Sequence, residues 1–303
     1  MGTAAPLESA SAERRTALLL LVAMAVCWGG TWPTGKLAVE EVPPAVVATL
    51  RFALSTAMLW LWTRALAAPL VRPTRADLPL VLLLGLTAVA GYNLLFLYGL
   101  SHAPASDGAI IVPGLAPLMT ALLAASLLGE RLGSRAALGL VTGIVGLVLV
   151  VDPGGGLDSE RLFGDLLFLA GAFVWGVFSV LGRRATSRFG TVGATLYATA
   201  VGTGMLAPLS FLGGGWGELA EAHADAWISI AYLAVFGTVV GFVLFYEGVR
   251  RIGPSSATSF TLLVPVFGVL SSVLLLDEQL GVSTVLGGIV VISGLWLVQS
   301  RRT

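Results

Sequence analysis

Charge is scarce in this 303-residue chain: Asp, Glu, Lys and Arg together make up 11% of it. A soluble domain carries roughly 25% charged residues, so the material for a water-facing shell is missing. Lysine occurs once, at Lys36, and Leu37 follows it, which excludes a Walker A phosphate loop and any ATP drive from this chain. Cysteine also occurs once, at Cys27, so no intramolecular disulfide can form and the redox compartment stays open. The two histidines, His102 and His223, stand alone; without zinc-type spacings, no metal site is expected. The segment from Gly253 to Ala257 imitates a nucleophile elbow around Ser255 but lacks the closing glycine, and neither enzymatic activity nor a cofactor is expected. Seventeen basic and seventeen acidic residues cancel, so the charge balance points to no nucleic-acid partner.

Apolar residues fill the space, at 56% of the chain with a mean hydropathy of +0.92. The expected surroundings are a lipid bilayer, whose hydrocarbon core of roughly 30 Å takes about 20 helical residues to cross. Charge-poor runs of that kind fall at 16–35, 42–63, 78–101, 108–129, 136–151, 166–182, 189–217, 226–246, 252–276 and 279–300. The second reaches full length only if it tolerates Arg51. Ten helices follow, in an all-α polytopic membrane protein. Assigning alternate loops to alternate sides puts Arg14, Arg15, Arg64, Arg72, Arg75, Arg131, Arg135, Arg183, Arg184, Arg188, Arg250, Arg251, Arg301 and Arg302 on one face. The other face receives Lys36 and Arg161. Basic residues gather in cytoplasmic loops, so both termini are expected in the cytoplasm. Arg14 and Arg15 precede the first run, but no small-residue cleavage site follows, so it reads as a retained helix and not a signal peptide.

The chain also repeats itself. Pro117, Glu130, Gly133, Gly139 and Gly146 fall on Pro265, Glu278, Gly281, Gly287 and Gly294, all 148 residues on. At an offset of 147, Trp28, Gly29 and Gly35 fall on Trp175, Gly176 and Gly182. Five helices per half is an odd number, so the second half enters from the opposite face and the expected architecture is two inverted five-helix repeats. The boundaries are a tail at 1–15, a first repeat at 16–152, a turn-rich linker at 153–161, a second repeat at 162–300 and a tail at 301–303.

These residues resemble the drug/metabolite transporter superfamily, and within it the EamA-type ten-helix transporters. The resemblance runs from Thr16 to Ser300 and is carried by Trp28-Gly29 with Gly35-Lys36, by Arg51, by Pro117 with Leu127 to Gly133, and by the second copy around Trp175, Pro265 and Glu278. It implies a secondary transporter of small organic metabolites, often amino acids or related compounds, and more often an exporter than an importer. An uptake carrier for an amphipathic or aromatic compound, or a lipid-handling or scaffold protein, remains the alternative. Sixteen arginines against one lysine suggest a GC-rich bacterial genome and hence the cytoplasmic (inner) membrane. The sequence leaves monomer and homodimer both open.

Candidate residues follow from what is costly in a bilayer. Arg51 lies well inside its helix, where a charge costs about 2.5 to 3.5 kcal/mol on insertion scales; it faces a cavity, finds a partner or snorkels outward. Asn93, flanked by Tyr92, bonds another helix or lines a pocket. Trp28, Trp32 and Trp175 lie within spans, where an indole packs on glycine or meets a ligand; Tyr246 is a weaker candidate. Together they form the expected substrate cavity. Glu247, close to Arg250, either couples transport to protons or pairs with the arginines. Pro33, Pro113, Pro117 and Pro265 interrupt spans and free backbone carbonyls. Gly139 and Gly143 suggest close helix packing, with a dimer contact as a second use.

Overall fold

A computed structural model describes residues 4–65, 70–128, 134–151, 158–252, 257 and 260–299. No strand occurs among them, as expected where lipid offers backbone groups no hydrogen bonds and each segment must satisfy its own. Helical runs 13–41, 44–65, 75–102, 159–213 and 224–252 are long and apolar enough to cross a membrane, and shorter apolar helices cover 137–150, 260–276 and 282–297.

The first run begins earlier than its apolar stretch, as α1 (Ala4–Gly29). It breaks at Gly30 and resumes as α2 (Thr31–Glu41). Helix α3 (Pro44–Ala65) runs unbroken past Arg51. The third run is α4 (Leu78–Leu84), a π-helical segment (Gly85–Gly91) and α5 (Tyr92–His102). Then come α6 (Ala105–Leu128) and α7 (Ser134–Val150). Helix α8 (Ser159–Gly213) has 55 residues, more than twice what a single crossing needs, and breaks at Gly190, where φ is 68° and ψ is 171°. Gly164 and Gly171 approach Ala103, just past the third run, and Leu95 within it, in descending order, while Gly193 and Gly202 approach Leu70, ahead of that run, and Val89 within it, in ascending order. The two limbs of α8 are therefore antiparallel, and the chain reverses at a glycine whose positive φ other residues rarely adopt.

After the short α9 (Glu218–Glu221) comes α10 (Ala224–Ala234), a second π-helical segment (Val235–Val240) and α11 (Gly241–Ile252). A 3₁₀ turn (Phe260–Leu262) leads into α12 (Leu263–Leu276), and α13 (Val282–Gln299) completes the described chain.

The prolines behave differently from one another. Pro33 and Pro265 are the third residues of α2 and α12, where a backbone N–H has no intrahelical partner to lose. The breaks thus lie just before them, at Gly30 and in the 3₁₀ turn. Pro113 and Pro117 sit inside α6, which stays helical through both. The carbonyl that Pro33 leaves unbonded, on Gly29, accepts from Ser271 Oγ of α12 at 3.4 Å.

Glycines decide how closely the helices meet. A side chain on Gly29 would lie 2.7 Å from Phe267 Cβ and 2.8 Å from Gly268 N. Gly146 of α7 packs on Val291 of α13, Gly139 and Gly143 offer backbone atoms to Gly294 of the same helix, and a side chain on Gly143 would meet Leu118 of α6, so this glycine stripe is occupied within the chain. The opposite flank of α7, including Leu138, Val141, Ile144, Val145 and Val148, is exposed and suits lipid. A methyl on Gly294 would stand 2.7 Å from Gly139 O and 2.8 Å from Gly143 N, both backbone atoms. Gly294→Ala should therefore push α7 and α13 apart and cost about 1–3 kcal/mol. A lowered thermal unfolding midpoint in detergent is the expected result; an unchanged midpoint would contradict this packing.

Candidate functional site

Irregular backbone within an apolar helix leaves carbonyls that must find donors, and the first π segment shows how. Thr87 Oγ1 donates to Leu83 O at 2.7 Å, and Asn93 Nδ2 donates to Ala88 O at 3.0 Å. That bond fixes the amide so that its oxygen is turned to α3, where Arg51 Nη1 donates to Asn93 Oδ1 at 3.0 Å. Two residues 42 positions apart, each selected from the sequence separately, meet in one buried contact.

Arg51 is 8% exposed and Asn93 1%. The guanidinium lies 4.9 Å from the Phe52 ring centroid and 6.0 Å from that of Phe96, a cation–π arrangement. Its far side abuts the second π segment, where a side chain on Gly237 would come within 3.3 Å of Arg51 Nη2. Ser55, one turn on, donates to Arg51 O at 2.8 Å and to Ala234 O, immediately before that segment, at 3.2 Å. Arg51 thus sits between the two π segments. No carboxylate among the described residues is within ion-pairing distance of it, and its Nε has no partner. Amide and rings offset the positive charge only in part.

The aromatic candidates form two groups. Trp175 meets Tyr92 edge-on at 4.8 Å and Phe178 at 5.2 Å, while Tyr92 stacks on Phe96 at 6.0 Å. Trp28 meets Phe242 at 5.5 Å and Phe245 at 5.7 Å, with its indole nitrogen against Gly241. Trp28, Tyr92 and Trp175 are half-buried. Trp32 is different: 3% exposed, it is wedged between Phe96 and Phe168 and rests on Gly108 and Gly268. It fills core. Tyr246 belongs to α11, but its side chain lies outside the described residues. Glu247 uses both carboxylate oxygens on Arg250, at 2.6 and 2.8 Å, and also bonds Arg251 at 2.8 Å.

Sequence reasoning missed a set of charges at the other end of the bundle from Glu247, because the charge-poor runs starting at 108 and 166 leave Asp107 and Asp165 just outside, in the loops with Arg161. Asp107 and Asp165 are 1% and 2% exposed. Arg161 Nε bonds Asp107 Oδ2 at 2.8 Å. Lys36 Nζ donates to Leu100 O at 2.6 Å. Glu278 accepts from Ala105 N and Ser106 N at 2.7 and 3.0 Å, capping α6. The position of Asp165 on the threshold of an apolar run was the available signal.

Apolar helices interrupted by π segments and a glycine break, with a buried arginine at the interruptions, describe a multi-pass membrane protein of the transporter class. The chain belongs to the EamA-like transporter family, which matches residues 15–152 and 162–300, and through it to the drug/metabolite transporter superfamily. It is 28% identical over 282 residues to the uncharacterized transporter YyaM of Bacillus subtilis, covering 91% of each chain. A probable terminal-alkyne amino-acid exporter of Streptantibioticus cattleyicolor is 28% identical over 289 residues, 95% of this chain and 94% of its own. One crystal structure, 21% identical, covers 94% of this chain and 98% of its own with a TM-score of 0.64, a likeness of fold.

Replacing Asn93 by Leu should strand the Arg51 guanidinium and the Ala88 carbonyl together. Hydrogen bonds to charged groups contribute about 1.5–3 kcal/mol, so thermal stability in detergent should fall by about that amount. Asn93→Asp, which keeps an acceptor for Arg51, should lose less. Equal stability in the Leu variant and the parent would show that the contact does not stabilise the fold.

Proposed function

We propose that this protein is a secondary carrier of two inverted five-helix repeats that moves a small organic metabolite, an amino acid or related compound, out through the cytoplasmic membrane by alternating access. Matched contacts in the two halves carry the reading. Trp28 touches Phe242 while Trp175 touches Tyr92, and these pairs exchange under offsets of 147 and 150. Gly29 approaches Phe267 and Gly268, while Gly176 approaches Met119 and Thr120, offsets of 147 and 148. Gly91 closes on Leu86 O and Gly241 on Phe236 O, each at 2.8 Å from where a side chain would begin. The π segments begin at Gly85 and Val235, 150 apart. A twofold-related pair of halves accounts for all four at once.

Counted this way, α1 with α2, α3, α4 with α5, α6, α7, the two limbs of α8, α10 with α11, α12 and α13 supply ten crossings. The first π segment and Asn93 belong to one half, the second π segment to the other, and Arg51 lies between them. Rocking of the halves would open and close that region. The half-buried Trp28, Tyr92 and Trp175, with Tyr246, are the proposed lining. Arg51, with donors to spare, suits a substrate carboxylate, in keeping with a relative named as an amino-acid exporter. The arginine-rich face supports cytoplasmic termini. Binding, reorientation and release need no catalytic step.

The test is a metabolite profile of the medium around cells expressing the parent, Arg51→Leu, or Trp28→Leu with Trp175→Leu, at matched membrane abundance. One carboxylate-bearing solute class should accumulate with the parent and fall at least tenfold in both variants. Depletion of a solute from the medium by the parent alone would reverse the direction to uptake. No difference between parent and empty cells would overturn the carrier reading.

A further inference from the structure

The second buried charge cluster has a property that the Arg51 region lacks: among the described residues, more acid than hydrogen-bond donors reach. Asp107 comes from the first turn of α6, and Arg161 and Asp165 from successive turns of α8. Arg161 Nε bonds Asp107 Oδ2 at 2.8 Å, and its Nη2 reaches Val150 O at 3.3 Å. Asp107 Oδ1 and both carboxylate oxygens of Asp165 are buried with no hydrogen-bond partner among the described residues.

The surroundings of Asp165 oppose a negative charge. Its neighbour Gly164 packs against the end of α5, where a side chain would lie 2.8 Å from Ala103 N and 3.0 Å from Gly99 O. A helix C-terminus is the negative end of the helix dipole. The charges acting on Asp165 are Asp107 and Arg161, and those acting on Asp107 are Arg161 and Glu278. Lys36, from α2, is held by Leu100 O and Ala103 O at 2.6 and 3.3 Å. His102 Nδ1 is 3.4 Å from Glu160 Oε1, while Glu278 is held by the α6 amides. A buried carboxylate with no donor neutralises instead of staying ionised. A metal cation fits less well, because it would need several oxygen ligands beside the arginine that already occupies the site.

We propose that Asp165, with Asp107 and Arg161, is a proton-binding site in which one proton decides which carboxylate holds the arginine. With the proton on Asp165, Arg161 bonds Asp107 and ties α8 to α6. When the proton leaves to water, the Asp165 carboxylate competes for Arg161, four residues earlier on the same helix, a spacing at which such pairs meet. The tie between the helices is then released at that end of the bundle. The proposal deepens the carrier reading by naming what regulates one gate, and it rests on that reading for this consequence.

The test uses the full-length protein in lipid nanodiscs, with Cys27→Ser and spin labels on cysteines at the exposed positions Ser159 and Gln279. Glu278 holds the start of α6, so the label beside it reports the separation of α6 from α8. The parent should show a short distance at low pH and a longer one at high pH. Asp165→Asn, which mimics the protonated acid, should keep the short distance throughout, and Arg161→Gln the long one. Infrared difference spectra between the two pH values should show a protonated-carboxyl band that Asp165→Asn abolishes. A pH-independent distance in the parent, or an unchanged band in Asp165→Asn, would overturn the proposal. Neither readout needs a substrate, so failure of the carrier reading would show in the metabolite profile and leave these measurements interpretable.

Discussion

A backbone surrounded by hydrocarbon has to satisfy its own hydrogen bonds, and the rest of this structure follows from that constraint. Among the described residues regular helix meets it along most of the chain, and at the breaks side chains take over. Asn93 serves Ala88 O, Ser55 serves Ala234 O, Ser271 serves Gly29 O and Tyr232 serves Cys27 O. One part of the buried polar chemistry therefore lies where the helices are irregular, and the other at the starts of α6 and α8, where Asp107, Arg161 and Asp165 meet. Arg51 shares the first location because an amide committed to one carbonyl still has an oxygen to offer it.

Close approach is the second organising factor. With no apolar driving force between helices in lipid, contact depends on small residues that let backbones meet. Gly29 against α12 and the α7–α13 stripe are sites where one added carbon would collide with backbone, and Gly176 against α6 is one where it would be tight, at 3.1 Å from Thr120 N. The same glycines recur in both halves of the sequence, so packing and repetition are one observation at two levels.

Much of the fold was readable because lipid imposes a simple grammar: charge-poor runs became helices, and Arg51 was tolerated within α3. The π segments were not readable. Around Gly85–Gly91 nearly every residue is apolar, so a change of helical period leaves no trace in the hydropathy pattern. Nor was the Arg51–Asn93 bond, since nothing in a linear sequence pairs residues of different helices. Trp32 and Trp175 looked alike as indoles within spans, yet one is core and the other half-buried, a difference set by Phe168 and Gly108 from other helices. Asp165 was assigned to a loop because charge usually marks one; its burial depends on α5 lying against Gly164.

The π segments also carry a consequence for how such a chain tolerates length changes. A π turn is an α-helix with one residue too many, and each residue of an α-helix turns the chain by about 100°. The extra residue in Gly85–Gly91 sets the phase of everything after it, so that Leu82, Leu83 and Leu86 are exposed before or within the bulge while Asn93 is buried beyond it. Deleting one residue there would leave composition and hydropathy almost untouched and would make the helix more regular. It would also swing Asn93 about a quarter turn away from Arg51, so the irregularity is the coordinate by which this helix aims its amide.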